Sequence, residues 1–290
     1  MEEYGKLDPV GTREAVCSAI QGFEKMPALY GKLITCLNNP EVGFDHVAEV
    51  VRYDPGMTMN ILRVVNSAAF SSGRPVDSLQ QAAVLLGAKR LLHLILVQGV
   101  SSRMQVPVPG YGLAPAMLLR HSVGVALTAE TMARTLSLKQ HDLLFTAGLL
   151  HDMGKLLLGR FVEQHLSHFE EALRDSDLTF DMLEEKFLGI THPEAGALLM
   201  EHWGFPMDLV DTIRYHHNPV SAGCDQDFAA IIHLSDVLVY GMGVGEGMDG
   251  LRYRVREEAV ETLQISTDDL EKIAGNTLGQ MREWDTVTSI

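Results

Sequence analysis

Apolar residues recur at spacings of three and four along nearly the whole chain, and alternation of period two is hard to find. That spacing places apolar side chains on one face of a helix, so the pattern predicts an all-α fold. Long helices are expected over 79–102, 115–136 and 227–240. The glycine-rich tract 241–250 that follows the last of these is predicted to be a loop.

Proline, glycine and capping residues mark further boundaries. One predicted capping box pairs Ser78 with Gln81, and a second pairs Thr191 with Glu194. In the N-terminal half, further helices are predicted from Pro27 to Asn38, over 45–53, and from an Asp54 N-cap through Pro55. In the C-terminal half, they are predicted from Gln140 to a point between Gly154 and Leu158, and from Pro206 to Asn218. The charged segment 162–187 is predicted to form one or two surface helices that stop at Gly189.

The chain is expected to divide into three segments. The stretch 102–112 is rich in proline and glycine and is the best linker candidate, so residues 1–108 are predicted to form an N-terminal helical bundle. Residues 109–240 are predicted to form a second helical subdomain. Residues 241–290 are expected to be a C-terminal helical extension, either a cap or an oligomer contact.

Composition narrows the classes of partner. Of the 290 residues, 46% are apolar and 21% charged, which is typical of a globular protein and excludes wholesale disorder. The net charge of −15 repels phosphate backbones and anionic lipids, so neither nucleic acid nor a membrane surface is an expected partner.

Cysteine content and the N-terminus bear on the compartment. Cys17, Cys36 and Cys224 are odd in number and far apart, which argues against a disulfide framework or a cysteine zinc site. We find no secretory signal and no apolar run of about 20 residues, the length a membrane-spanning helix requires. A cytoplasmic location is therefore expected.

Twelve histidines are many for this chain, and several fall near aspartates on five predicted helices. Taken singly, His121 could be a hydrogen-bonded core residue, and His216 and His217 could complement a helix C-terminus. Asp236 is harder to explain, because its helix is apolar nearly all round and a buried unpaired carboxylate costs several kcal/mol. The candidate metal ligands are His121, His151, Asp152, His192, His216, His217 and Asp236.

Nitrogen and oxygen ligands without a thiolate suit one or two divalent ions, with iron or manganese favoured and zinc possible. An aspartate of this set is able to bridge two ions. Two ions in one site activate water and clamp a phosphoryl group, so the residues favour a phosphohydrolase-type site. Lys155 follows His151 by four residues and shares its face, where it would either contact a bound anion or be solvated. Asp152 and Lys155 are the catalytic candidates.

The ordered set H…HD…H…HH…D resembles the HD-domain superfamily of metal-dependent phosphohydrolases. From about residue 20 to 240 the chain more specifically resembles HDOD, the HD-related output domain of bacterial signalling proteins. The matching residues are Pro27, Asp54-Pro55, Leu62, Asn66-Ser67-Ala68, Ser78 through Ala82 to Leu86-Gly87, His121-Ser122, Ala147 through Lys155, His192 with Gly196, Trp203 through Pro206, and Tyr215 through Pro219.

The resemblance implies an HD-like helical core packed with an N-terminal bundle, and a regulatory role as an interaction or output module. Many members of the family lack metal ligands, whereas this chain has a matching histidine or aspartate at every position of the HD metal site. The chain departs from the related HD-GYP cyclic di-GMP phosphodiesterases after His217, where Asn218-Pro219-Val220 replaces their motif.

Two functions are therefore expected as alternatives. The first is an output module that binds signalling proteins of unknown identity and retains a metal. The second is a metal-dependent phosphohydrolase acting on a nucleotide or cyclic dinucleotide, with Lys155 contacting phosphate. A hydrogen-bonded polar cluster without metal is a third interpretation. His233 is a candidate support for the site, and Asp54 and Asn66 are interpreted as helix-capping rather than partner-contacting residues.

Overall fold

The computed structural model describes residues 7–23, 55–66, 75–223, 226–245 and 247–288. Within these ranges the fold is all-α, as predicted, and the only β-type pairing is an isolated bridge between Val108 and Leu113. The predicted helices over 27–38 and 45–53, the Asp54 N-cap and Ser67 lie outside the described residues.

The helices are numbered in chain order. The first four are α1 (Pro9–Gly22), α2 (Pro55–Val65), α3 (Leu79–Leu86) and α4 (Ala88–Met104). Then come α5 (Met117–Thr135), α6 (His141–Leu150), α7 (Gly154–Gln164), α8 (Leu166–Asp175) and α9 (Phe180–Leu188). The rest are α10 (His192–Trp203), α11 (Met207–Arg214), α12 (Gln226–Gly241), α13 (Glu257–Leu263) and α14 (Thr267–Thr288), with short 3₁₀ turns at Pro109–Tyr111, Pro219–Ser221 and Gly250–Arg252.

Helix α5 is the centre of the fold. It packs against α6, α12 and α14, while α10 packs against α7 and α11. Helix α1 lies against α9 and α10. In the N-terminal half, α2 and α3 pack on α4, which in turn packs on α5 and α6. Helix α4 therefore joins the N-terminal helices to the rest of the core.

The predicted helix over 79–102 is two helices. Ser78 caps the first, because its hydroxyl accepts a hydrogen bond from the Gln81 N–H (3.3 Å). Gly87 then takes a backbone φ of +81°, which side-chain-bearing residues rarely adopt, and the chain turns before α4. Asn66 ends α2 and holds the chain beyond it, exchanging hydrogen bonds of 2.7 Å with the backbone of Val76 in both directions.

Part of the stretch predicted to be a linker packs against the core, while Gln105, Val106 and Pro107 are exposed. Helix α4 extends to Met104, and Gly110 and Tyr111 in the following 3₁₀ turn are buried. A Cβ on Gly110 would lie 2.2 Å from the carbonyl oxygen of Gly159, so the turn approaches α7 closely. Tyr111 thereby reaches the interior of the second half of the chain.

The predicted helix from Gln140 to about residue 158 is broken at the His151-Asp152 pair. Helix α6 ends at Leu150, a turn covers 151–153, and α7 begins at Gly154. Two glycines allow the flanking helices to approach their neighbours: a Cβ on Gly148 would lie 2.8 Å from the backbone of Ala126, and one on Gly154 would lie 2.0 Å from the His192 carbonyl oxygen. The turn is thus held between α5 and α10.

We expect Gly154→Ala to lower the free energy of unfolding by about 1–3 kcal/mol, because the added methyl group must push α7 away from α10. Gly275 in α14 is the matched control, since a Cβ there meets nothing within 4 Å. Gly275→Ala should raise stability by about 0.5–1 kcal/mol through its higher helix propensity. Urea denaturation of the two variants measures the difference, and equal stabilities would contradict the close approach.

Helix α12 matches its predicted bounds within one residue at each end. Thr191 caps α10 as predicted, although the Glu194 carboxylate pairs with Arg13 of α1 instead of completing the capping box.

Among the described residues no single helix is long and apolar enough to span a membrane. The bent pair formed by Leu79–Leu86 and Arg90–Met104 meets that test when its two helices are taken together, by length and composition alone.

Candidate metal centre

The seven predicted ligands lie together in the core. His121 is on α5, His151 and Asp152 are in the turn after α6, and His192 is the first residue of α10. His216 and His217 occupy the turn after α11, which ends earlier than predicted, and Asp236 is on α12. Their relative exposures are 0–1%, except for 5% at His217.

One half of the cluster is formed by His121, His151 and Asp236. His121 Nε2 lies 2.9 Å from Asp236 Oδ1, and His151 Nε2 lies 3.6 Å from the same oxygen. Asp152 faces this half with Oδ2, which lies 3.3 Å from His151 Nε2 and 3.8 Å from His121 Nε2. One ligand atom from each of the three residues lies within 4.8 Å of the others.

The other half is formed by His192, His216 and His217, which meet the same 4.8 Å criterion. His192 Nε2 lies 3.1 Å from His217 Nε2 and 3.4 Å from Asp152 Oδ1. The two oxygens of Asp152 therefore face opposite halves of the cluster. Asp152 would therefore be able to contribute one oxygen to each half.

The backbone fixes how most of these rings face. Nδ1 lies 2.8 Å from the Gly148 carbonyl oxygen in His151, 2.7 Å from that of Ile213 in His216, and 3.2 Å from that of Val244 in His121. A carbonyl oxygen only accepts hydrogen bonds, so Nδ1 carries a proton in each ring and Nε2 is the nitrogen that faces the cluster, where it would offer its lone pair to a bound metal.

Burial and neighbouring charge move the pKa values of these groups in opposite directions. Burial, and then the nearby His151 and His192, lower the pKa of His216 well below its usual value, so its ring is neutral. Burial would also lower the pKa of His151, but the carboxylates of Asp152 and Asp236 outweigh it and raise that pKa to about 10. Without a metal, His151 therefore holds a proton at neutral pH.

The donor atoms fit a divalent metal. Four buried atoms in the cluster have no hydrogen-bond partner within the described part of the chain: His151 Nε2, Asp152 Oδ1, His216 Nε2 and His217 Nδ1. Ligand bonds of about 2.1 Å place neighbouring donors about 3–3.5 Å apart, close to the separations of 2.9–3.8 Å found here. Five imidazoles and two carboxylates suit iron, manganese or zinc.

Glu184 on α9 is a site residue that the sequence prediction missed. Its fully buried carboxylate lies 2.8 Å and 2.9 Å from His192 Nδ1, and it also accepts from the His192 backbone N–H (2.6 Å). The Tyr111 hydroxyl donates to Oε1 (2.6 Å). Glu184 therefore fixes the ring of His192 with Nε2 toward Asp152.

A signal for Glu184 was present in the sequence. The segment 162–187 was predicted to lie on the surface because it is charged, yet Glu184 sits at helical spacing on the face formed by Phe180, Leu183, Phe187 and Leu188. A carboxylate on an apolar face needs a partner, which is the same argument that identified Asp236.

Lys155 is buried rather than solvated. Its ammonium donates to Asp152 Oδ2 (2.6 Å) and to the Tyr240 hydroxyl (3.1 Å), and lies 2.5 Å from Asp249 Oδ2. Burial would lower the pKa of Lys155, but Asp152 and Asp249 raise it well above its usual value. Lys155 is thus a permanent cation whose anionic partners are both supplied by the protein.

The end of α12 and the segment that follows it lie over the cluster. Tyr253 stacks on His217 (centroids 4.0 Å apart), and Tyr240 stacks on His121 (4.3 Å). At Gly245 the backbone has a φ of +71° and comes so close to His121 that a Cβ would lie 2.4 Å from it. In the described structure none of the seven candidate ligands lines the cavity beside His93 or the one beside Arg63 and Pro115. Tyr240, Gly245 and Tyr253 therefore cover the cluster.

Histidines outside the ligand set differ in role. His233 donates from Nδ1 to the carbonyl of His216 (3.0 Å) and accepts at Nε2 from the Arg256 N–H (3.1 Å), so it supports the ligand turn through the backbone. Four other histidines are half-buried: His141, His165, His168 and His202.

Comparison with known proteins finds a family whose model matches most of the chain. The family model of the HDOD domain matches residues 24–219. Ribonuclease Y of Thermus thermophilus is 30% identical over 154 residues, which are 53% of this chain and 22% of that protein. The matched part of the chain spans less than half the length of its curated relatives.

Solved structures share the fold. A protein of Shewanella amazonensis, provisionally named a phosphohydrolase, superposes with a TM-score of 0.69 at 23% identity, covering 94% of this chain and 98% of that one. A provisionally named signal transduction protein of Marinobacter aquaeolei gives 0.71 at 21% identity, covering 98% of this chain and 66% of that one. At these identities the likeness establishes the fold alone.

Proposed function

Since this chain belongs to the HDOD family, we propose that it is a signal-transduction output module built around a retained divalent-metal centre. The observation that carries the proposal is the convergence of seven ligand residues in the core, with four of their polar atoms buried and lacking hydrogen-bond partners among the described residues. A buried polar atom without a hydrogen-bond partner lowers the stability of the fold unless a ligand such as a metal ion binds to it.

The arrangement suits two ions joined by Asp152. His121, His151 and Asp236 would hold one ion, and His192, His216 and His217 the other. When bound, a pair of divalent ions supplies an activated water and a clamp for a phosphoryl group. The donor set favours iron or manganese, with zinc also compatible.

Burial of the centre favours an output module over an enzyme. A phosphohydrolase must admit its substrate to the metals, whereas these ligands are covered by Tyr240, Gly245 and Tyr253. Lys155, the candidate phosphate contact, is paired with Asp152 and Asp249. A covered, metal-stabilised core suits a module that acts by binding a signalling protein in the cytoplasm, and the Marinobacter neighbour's provisional signal-transduction name is consistent with that role.

The alternative is a metal-dependent phosphohydrolase acting on a nucleotide or cyclic dinucleotide. It is favoured by the complete ligand set and by the names of ribonuclease Y and the Shewanella neighbour. In that case the segment carrying Asp249 must move, which would free Lys155 to meet a phosphate while Asp152 stays with the metals.

Turnover and signalling assays separate the two functions. We expect metal-loaded protein to leave cyclic dinucleotides and bis-p-nitrophenyl phosphate intact, at the same background rate as Asp152→Ala. In cells, His151→Ala is expected to disrupt output, because the module loses the metal that orders its core. Hydrolysis by the wild-type protein that disappears in Asp152→Ala would instead establish the phosphohydrolase.

Metal affinity should rise with pH. Asp152 and Asp236 raise the pKa of His151 to about 10 against the opposing effect of burial, so at neutral pH its ring holds a proton that an entering metal must displace. One displaced proton makes the apparent affinity rise about tenfold per pH unit below that pKa. Calorimetric titration with Mn²⁺ between pH 6 and 8, in buffers of different ionisation enthalpy, measures proton release. A pH-independent affinity would contradict this account of His151.

A further inference from the structure

A second group of potential ligands lies where the N-terminal half meets the core. His93 on α4, Glu130 on α5 and Asp142 on α6 each offer an atom within 4.8 Å of the other two. We propose that these three residues form a second divalent-cation site, separate from the HD-type centre and independent of it.

His93 is placed as a ligand would be. It is 9% exposed, and its ring stacks face to face on Phe145, with centroids 3.7 Å apart and planes inclined by 4°. The stack fixes the ring plane. Nε2 is buried without a hydrogen-bond partner among the described residues and lies nearest to Asp142 Oδ1, 3.6 Å away. A cation bound by this nitrogen and by the Asp142 carboxylate would give the buried ring nitrogen a partner.

The separations suit a shared ion better than direct hydrogen bonds. The 3.6 Å from His93 Nε2 to Asp142 Oδ1 exceeds hydrogen-bond length, and a carboxylate oxygen of Glu130 completes the group in which all ligand atoms lie within 4.8 Å of one another. Donors bonded to one ion at about 2.1 Å lie about 3.4 Å apart in a tetrahedral site. His141 Nδ1, also buried and without a hydrogen-bond partner among the described residues, lies 3.3 Å from Asp142 Oδ1 and is a further potential ligand.

Charge and access are compatible with a cation. The cluster borders a cavity of about 410 Å³, also lined by Arg90, Arg134 and Glu283. Arg134 donates to Glu130 Oε1 (2.5 Å), which leaves Oε2 on the side of His93. The three carboxylates of Glu130, Asp142 and Glu283 outnumber the two arginines. Unlike the HD-type centre, this site opens to solvent and would exchange its ion readily.

The chemistry of the group indicates which ion would bind and what it would do. One imidazole and two carboxylates, with room for water, suit Zn²⁺ or Mn²⁺. The ligands come from three helices, and α4 is the helix that joins the N-terminal helices to α5 and α6. A bound ion would therefore tie the two halves of the module together.

Titration of the full chain with Zn²⁺ against a chromophoric chelator tests the site. We expect the wild-type protein to bind an ion that exchanges faster than those of the HD-type centre. His93→Gln and Asp142→Asn should each lower the affinity for that ion at least about tenfold. His202→Gln, which alters a half-buried histidine elsewhere, is the control and should bind as wild type does.

A second readout keeps the test decisive. Hydrogen exchange in α4 should slow on Zn²⁺ addition in the wild type and in Asp152→Ala, but not in Asp142→Asn. If Asp152→Ala keeps one ion that His93→Gln removes, this site stands whatever becomes of the HD-type centre. If His93→Gln and Asp142→Asn bind Zn²⁺ with wild-type number and affinity, the site does not exist, even when Asp152→Ala loses its ions. Should one variant fail to fold, as judged by its circular dichroism, the other supplies the result.

Discussion

Asp152→Ala is expected to abolish metal binding at the HD-type centre and to lower the free energy of unfolding of the metal-free protein by about 3–5 kcal/mol. Both effects arise because Asp152 faces both halves of the cluster with its two oxygens and also pairs with Lys155 at 2.6 Å. Removing it takes away a carboxylate that faces both halves and leaves the buried Lys155 ammonium with Asp249 as its one paired carboxylate. Elemental analysis and urea denaturation measure the two losses.

Two further variants serve as controls for Asp152→Ala. Asp152→Asn keeps the shape of the side chain but removes its charge, so it should also lose metal while retaining more stability than the alanine variant. Asp177→Ala removes an exposed carboxylate and should change neither property. Full metal content in Asp152→Ala would mean that the ions bind elsewhere.

Glu184→Ala should have the second largest effect. The carboxylate is the acceptor for three donors, namely the His192 ring, the His192 backbone N–H and the Tyr111 hydroxyl. Each buried group left without a partner costs about 1–3 kcal/mol. Freed from Glu184, the His192 ring no longer presents Nε2 to the cluster. We therefore expect a loss of stability together with about 10–100-fold weaker binding of the ion held by His192, His216 and His217.

The ion held by His121, His151 and Asp236 should persist in Glu184→Ala, because none of these residues contacts Glu184. Cobalt substitution, followed by visible absorption, reports the two ions separately. Glu185→Gln changes the neighbouring exposed carboxylate and is the matched control. An equal loss of affinity for both ions would show that Glu184 acts on the whole fold rather than on His192.

Local pattern was sufficient to predict the helices but not all of their ends. Helical spacing and capping residues correctly identified α5, α10 and α12, since these signals lie within the element itself. The breaks at Gly87 and at His151-Asp152 could not be predicted by the same means. Apolar spacing continues across both, and the chain turns because of packing against helices distant in sequence.

At the site, too, some residues could be predicted from local sequence pattern and others could not. His121, His151, Asp152 and the other predicted ligands could be found because histidines and aspartates recur in order on apolar helices. Asp249, which pairs with Lys155 across 94 residues, lies in a glycine-rich tract without periodicity. His93 meets Glu130 and Asp142 only because α4, α5 and α6 pack together. Sequence spacing carries no information about contacts of that kind.

Anomalous scattering from crystals of protein purified without added metal tests the central claim most directly. Data collected at the iron, manganese and zinc edges should show strong peaks on both sides of Asp152, about 2.0–2.3 Å from its two oxygens and from the Nε2 atoms of His151 and His192. A well-ordered cluster without any such peak, with the same side chains joined by direct hydrogen bonds, would contradict the account.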